Sequence, residues 1–129
     1  MAIGSSRLDE GVLEFLAERH LASLTTMRPH GTPHVVPVGF TFDADTRIAR
    51  VITRRTSVKV RNVRAGSRAV LCQIDGRRWL SLEGEARVRD DAEAVAEAVR
   101  RYAQRYRQPQ PNPERVAITI AVDRILGHA

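Results

Sequence analysis

The sequence holds a single cysteine, Cys72, among 129 residues. One thiol closes no internal disulfide, and nothing around it has the spacing of a metal cluster, so no metal site is expected. Cys72 reads as a small buried apolar residue. Aromatic residues are also scarce: three Phe, two Tyr and one Trp. With so few rings to stack on bases, and no recognised nucleic-acid module, nucleic acid is disfavoured as a partner. No window supplies the roughly 20 apolar residues of a membrane span. Met1 to Glu10 is polar, with no apolar stretch before a cleavage site. These absences predict a soluble, cytoplasmic chain with no membrane partner, and its length suits a single domain over residues 1–129 with one core of its own.

Lysine is nearly missing too. Of 21 basic residues only Lys59 is not arginine, and the net charge is +6. Codon bias alone can enrich arginine. A basic chain nevertheless points to an anionic partner such as nucleic acid, a phosphate or a carboxylate-rich small molecule.

What is present alternates like a β protein. Asp9 caps a first helix that reaches about Arg19, with Val12, Leu13, Phe15 and Leu16 on one stripe. His20 to Thr26 reads as a strand, and Arg28 to Gly31 as a turn. Thr32 to Phe42 reads as one strand with Val36, Val38, Phe40 and Phe42 on a face. Pro33 and Pro37 within it demand an edge position or a bulge. After the turn at Asp43 to Thr46, Ile48 to Thr53 is a third strand. Thr56 or Ser57 then caps a short helix to Arg64, closed by Gly66. Ala69 to Ile74 and Trp79 to Val88 form strands joined at Asp75-Gly76, a strong hairpin signal. Asp90 with Glu93 gives a capping box for the longest helix, which ends near Arg107. A proline-broken loop leads to a last strand, Arg115 to Ile125. Six strands joined mostly by hairpins, with peripheral helices, predict a mainly β (α+β) chain forming a closed or partly closed antiparallel barrel.

Arg47 to Arg68 holds eight basic residues and no acidic one. Its centre, Thr53-Arg-Arg-Thr-Ser-Val-Lys59, runs from a strand end into a helix start. Outward-pointing amide groups, the hydroxyls of Thr53, Thr56 and Ser57, and the charges of Arg54, Arg55 and Lys59 make a phosphate cradle. Physics alone leaves open the plainer reading, in which Ser57 caps the helix and the arginines are solvated. His20, His30 and His34 lack spaced partners for a metal or a catalytic triad. The Arg100, Arg101, Arg105 and Arg107 run reads as a solvated helix face. Trp79, beside Arg77 and Arg78, fits either a stacking platform or the core.

The string Thr53-x-x-x-Ser57-x-Lys59 between a strand and a short helix resembles the pyridoxamine-phosphate-oxidase-like family of split β-barrels. The resemblance implies that Thr53, Ser57 and Lys59 hold a coenzyme phosphate. Val58 stands where the oxidases proper carry arginine, and the chain ends Arg124-Ile-Leu-Gly-His-Ala129 rather than in their Arg-Leu-x-Pro type of tail. Both departures count against pyridoxamine phosphate as substrate. Phe15-Leu-Ala-Glu-Arg-His-Leu-Ala22, Arg78-Trp-Leu-Ser-Leu-Glu-Gly84, Arg101-Tyr-Ala-Gln-Arg-Tyr-Arg107 and Pro111-Asn-Pro113 resemble, more closely, the deazaflavin-dependent biliverdin reductases of that superfamily.

This closer resemblance implies a six-stranded antiparallel split β-barrel, homodimeric, that binds coenzyme F420 and reduces biliverdin, a tetrapyrrole, to bilirubin. Coenzyme contacts would come from Pro37, Val38 and Gly39, and from Thr53, Arg54, Arg55, Thr56, Ser57, Val58 and Lys59. The partner's hairpin would add Gln73, Arg78 and Trp79, while Arg54, Arg55 and Arg78 would hold the substrate's propionates. No catalytic side chain is expected, because the coenzyme carries the hydride. Three other readings remain on the sequence: an FMN-binding oxidoreductase of the same fold, an F420-dependent reductase of another acceptor, and a coenzyme- or haem-binding barrel without turnover.

Overall fold

The computed structural model describes residues 2, 3 and 8–129. Helix α1 spans Glu10–Ala17, shorter than expected; Asp9 caps it by accepting from the Val12 amide at 2.9 Å. Its face of Val12, Phe15 and Leu16 is buried. All strand pairs are antiparallel, and the order in the sheet is β3-β2-β6-β7-β8-β5-β4, with the short β1 (Ala2–Ile3) beside β8. The six expected strands are therefore eight among the described residues.

The largest departure lies in the second predicted strand. Thr32 to Phe42 is two strands, β3 (Pro33–Val38) and β4 (Thr41–Asp43). β3 pairs only with β2 (Ala22–Met27), and β4 only with β5 (Ile48–Arg54). They occupy opposite ends of the strand order. Residues Gly39 and Phe40 alone join them, so the two ends lie within about 11 Å of each other. Seven flat strands would hold them roughly 29 Å apart, so the sheet must be strongly curled. Phe40 leaves the strand pattern to become fully buried. The proline expectation held: β3 is an edge, and its alternation survives both prolines, with Pro33, Val35 and Pro37 exposed and Val36 and Val38 turned inward.

Helix α2 (Val58–Arg64) follows Ser57, and Gly66 turns the chain out with φ 103°. β6 (Arg68–Asp75) and β7 (Arg78–Arg89) are joined by Gly76-Arg77; Gly76, at φ 64°, takes the position that only glycine enters freely. The register of β7 with the last strand shifts between Glu83 and Gly84, where Asp123 is the extra, unpaired residue on the partner side; a Cβ on Gly84 would lie 2.0 Å from the Ala121 carbonyl oxygen. The long helix α3 (Ala92–Arg105) is capped by Asp91, not Asp90; Asp91 accepts from the Ala94 amide at 3.1 Å. β8 runs Arg115–His128 and buries Val116, Ile118, Ile120 and Val122 as the alternation predicts. The core gathers Phe15, Phe40, Leu24, Leu71, Leu80, Leu82, Ile118, Ile120 and Ile125, all fully buried. Among the described residues no helix is long and apolar enough to cross a membrane.

The α3 arginines correct the expectation of a solvated face. Arg101 meets Asp43 at 3.2 Å. Arg105 turns inward, donating to the carbonyls of Glu18 (2.8 Å) and Phe40 (2.6 Å) and to the Gln73 side chain (2.6 Å). Its guanidinium also stacks on the Phe40 ring. Cys72 is half-buried on the outer side of β6 rather than in the core, and burial raises its thiol pKa.

Candidate functional site

β5 ends at Arg54 and α2 begins at Val58, so the bend between them carries the predicted cradle. The Ser57 amide donates to the Arg54 carbonyl (3.1 Å), and the Arg55 amide to the Glu114 carbonyl (2.8 Å), which fixes the bend. Ser57 sits at the N-cap position with extended φ/ψ, yet its hydroxyl makes no capping bond. Thr53 Oγ1 donates to it at 3.4 Å instead. The two hydroxyls expected to hold phosphate therefore lie together, and Ser57 is not absorbed by the capping role that competed with binding.

Lys59 is half-buried. Desolvation first, and the positive charge of Arg54 second, hold its pKa below the ordinary value. Among the described residues no carboxylate lies within ion-pair distance of it. A withdrawn ammonium without a counter-charge is unfavourable unless an anion completes the site. On the facing strand, His34 adds a group that sequence reasoning set aside. Its Nδ1 is buried without a hydrogen-bond partner. Burial, then Arg28 and Lys59, lower its proton affinity, so His34 shares the field of Lys59. The pairing of His34 with Thr26, and the bond from Asn62 to the Thr26 hydroxyl (2.9 Å, buried), tie β3, β2 and α2 together at this point. The signal in the sequence was only a histidine between two prolines.

The fold also thins the local charge excess. Arg55 pairs with Glu114 (3.0 Å), Arg68 with Asp123 (2.7 Å) and Arg64 with Asp90 (3.9 Å). Acids distant in sequence neutralise part of a segment that has none itself. That weakens the case for a nucleic-acid surface and, among the described residues, leaves Arg54 and Lys59 as the cations of the bend without an ion pair.

Pro37 and Val38 end β3, and Gly39 follows them. Val35, Val36 and Pro37 line an open apolar cleft of about 340 Å³ with Leu21, Ala22, Ser23, Cys72 and Ile74. Gly39 backs onto α3: a Cβ there would stand 2.9 Å from Tyr102 and 3.2 Å from Tyr106 ring atoms. Two residues of the hairpin have partners within the chain. Gln73 is fully buried, donating to the Phe15 carbonyl (2.8 Å) and accepting from Arg105, so its side chain supports the core. Arg78 donates to both Glu18 oxygens (2.7 and 2.8 Å) and to Asp75 (2.6 Å), leaving its fork filled. Trp79 is half-buried, edge-on to His128. The same corner gathers Glu18, His20 and Asp75 closely enough to ligate a cation. The Arg78 guanidinium already lies between these acids and opposes a second positive charge.

The geometry contains the features a phosphate-bearing coenzyme needs: paired hydroxyls, an uncompensated cation and an orphaned buried nitrogen. The family model described as pyridoxamine 5'-phosphate oxidase matches residues 8–129. The chain belongs to the pyridoxamine 5'-phosphate oxidase family. Within it, the chain is 57% identical over 125 residues to the F420H(2)-dependent biliverdin reductase of Mycobacterium tuberculosis (strain CDC 1551 / Oshkosh), covering 97% of this chain and 91% of that one. A solved F420 reductase superposes with a TM-score of 0.75 at 25% identity, over 92% of this chain and 98% of that one. A conserved hypothetical protein of Mycobacterium tuberculosis superposes at 0.80 with 22% identity, over 95% and 85% of the two chains, and speaks for the fold alone.

Proposed function

We propose that the protein is a coenzyme F420-dependent reductase that converts biliverdin to bilirubin. The observation that carries the reading is the unsatisfied cradle: Lys59 without a counter-charge, Ser57 free of capping and His34 Nδ1 without a partner. The identity to a named biliverdin reductase over 97% of the chain supports the choice of coenzyme and acceptor.

When bound, the deazaflavin supplies the hydride. The chain's own part is to bind and orient. Thr53 and Ser57 donate hydroxyl hydrogen bonds to the coenzyme phosphate, Lys59 neutralises it, and Arg54 attracts the acidic tail. Thr56 and Val58 offer backbone contacts at the bend, and Pro37 to Gly39 supply a flat edge for the ring. Net reduction takes one hydride and one proton into the acceptor. The side chains already satisfied around Arg78 leave solvent as the simplest proton source.

The curled sheet supports a split barrel as the complete fold, with the chain acting as one coenzyme-binding unit. Leu21, Val35 and Ile74 are 61%, 57% and 66% exposed around one cleft. Clustered apolar exposure of this kind suits a homodimer, with the coenzyme against the shared face and Trp79 of the hairpin reaching the partner's site. The test is anaerobic calorimetry with F420 and with FMN, then turnover of biliverdin with F420 deuterated at carbon 5. Tighter F420 binding and deuterium at the bilirubin bridge are expected. Tighter FMN binding, or label lost to water, overturns the reading.

A further inference from the structure

A second cleft, of about 320 Å³, lies between the loop before β2 and the end of α3. Its walls are Arg19, His20, Leu21, Tyr102, Tyr106 and Arg107. None of these side chains belongs to the phosphate cradle. Leu21 lines this cleft and the apolar cleft along β3 alike, so the two adjoin. Gly39, which follows the β3 edge, packs on the same two tyrosines.

The aromatic wall is rigid. The Tyr102 and Tyr106 rings stand 4.8 Å apart at 33°. The Tyr106 hydroxyl donates to the His20 carbonyl and accepts from the Phe40 amide (3.2 Å). The Arg105 guanidinium lies over the Tyr106 ring at 5.2 Å. Tyr102 is half-buried, and its hydroxyl has no partner among the described residues.

The charge at the rim is uncompensated. Among the described residues neither Arg19 nor Arg107 has a carboxylate within ion-pair distance. The nearby acid Glu18 is taken by Arg78 and His20. By contrast Arg55, Arg68, Arg78, Arg100 and Arg101 are all paired. Two free guanidinium forks flanking fixed aromatic rings match a flat conjugated molecule with carboxylate arms.

We infer that this cleft is the acceptor subsite, in which Tyr102 and Tyr106 face one half of a planar conjugated acceptor and Arg19 and Arg107 bind its carboxylate arm. The inference rests on the reductase reading for its choice of acceptor, a linear tetrapyrrole with two propionates. It assigns recognition to arginines outside the cradle, which explains how acceptor choice is set apart from coenzyme binding.

The test uses the full-length protein, the double variant R19Q/R107Q, biliverdin and biliverdin dimethyl ester. Bilin binding is followed by absorbance without coenzyme, and F420 affinity by calorimetry. Two lost charge-assisted bonds predict a weakening of biliverdin binding by at least about tenfold, with F420 affinity within about twofold of wild type. The ester should bind wild type and variant equally weakly, because the arm that the arginines read is masked. In turnover the variant should raise KM and leave kcat nearly unchanged. Unchanged biliverdin affinity in the folded variant overturns the inference while leaving the reductase reading standing. Absence of turnover in wild type, with the arginine-dependent binding intact, overturns the reductase reading and supports the subsite.

Discussion

Arg105 and Lys59 are both cations drawn away from water, and the fold treats them in opposite ways. Arg105 has three short acceptors and two aromatic faces around it. Every acceptor is uncharged, so the guanidinium works as a spacer that ties α1, the β3–β4 crossing and β6 to α3. Lys59 has no such shell, and Arg54 adds repulsion to its desolvation. A satisfied buried cation holds structure; an unsatisfied one favours an anion, which is why we propose the coenzyme phosphate at Lys59. The difference separates strut from site within a single arginine-rich chain.

The comparison breaks first at Arg105. Arg105→Met would leave two carbonyls and the Gln73 amide oxygen without their donor, at about 1–3 kcal/mol for each group that water cannot reach. We expect a loss of about 3–4 kcal/mol, a large share of a small domain's stability, seen as a lower urea midpoint. F420 affinity of the folded fraction should change little. A variant as stable as wild type would make Arg105 a surface residue in all but appearance.

Lys59→Met should behave in reverse. Coenzyme affinity should fall roughly tenfold to a hundredfold, the worth of a charge-assisted bond to phosphate. Stability should hold or rise. Because the fold lowers the pKa of Lys59, its penalty is complete at neutral pH and relieved only as pH climbs past that lowered value towards 10.5; methionine removes it outright. Calorimetry and urea melts on the same preparation check both halves. A destabilised variant with normal affinity would reverse the roles of the two cations.

A smaller contrast sharpens the site itself. Arg54 is free and Arg55 is held by Glu114. Arg54→Gln should weaken F420 binding about twofold to fivefold, as exposed charges do, and added salt should shrink the effect. Arg55→Gln should do less. Glu114→Gln, which frees Arg55, should tighten binding slightly; weaker binding would show that the pair itself shapes the bend.

How much of this was legible in advance follows from the range of each interaction. Helix caps, the Gly76 hairpin and the alternation of β8 depend on neighbours in sequence, and they could be read there, to within a residue or a few at the ends. The break at Gly39-Phe40 could not, because alternation continues through it; only the demand of the curled sheet places β3 and β4 at opposite ends. The grouping of Thr53, Ser57 and Lys59 was legible, since these sit on one bend. His34 was not, because its value depends on facing α2 across β2. The intrachain partners of Gln73 and Arg78 were not legible for the same reason: Phe15, Glu18 and Arg105 lie far away in the chain.

The smallest expected effect tests the other satisfied cluster, at the hairpin corner. Hydrogen bonding to Arg78 first, and to His20 second, pulls the Glu18 carboxyl down to about 2 from its ordinary 4.5. The sign follows from linkage: a carboxyl whose folded pKa is depressed adds stability that is complete above 4.5 and disappears as pH falls towards about 2. The group is solvent-accessible, so screening keeps the contribution small. Glu18→Gln should therefore be slightly less stable than wild type at pH 6, with the gap closing through the window below pH 4.5. F420 affinity at neutral pH should not move as long as Asp75 keeps Arg78 in the corner. Carbon-13 NMR of the Glu18 carboxyl reads the same event directly and does not require the protein to survive a full melt in acid. A midpoint near 2 would establish Arg78 as a locked strut. A midpoint near 4.5 would mean that the fork is open in solution, returning Arg78 to the set of arginines free to bind an anionic ligand.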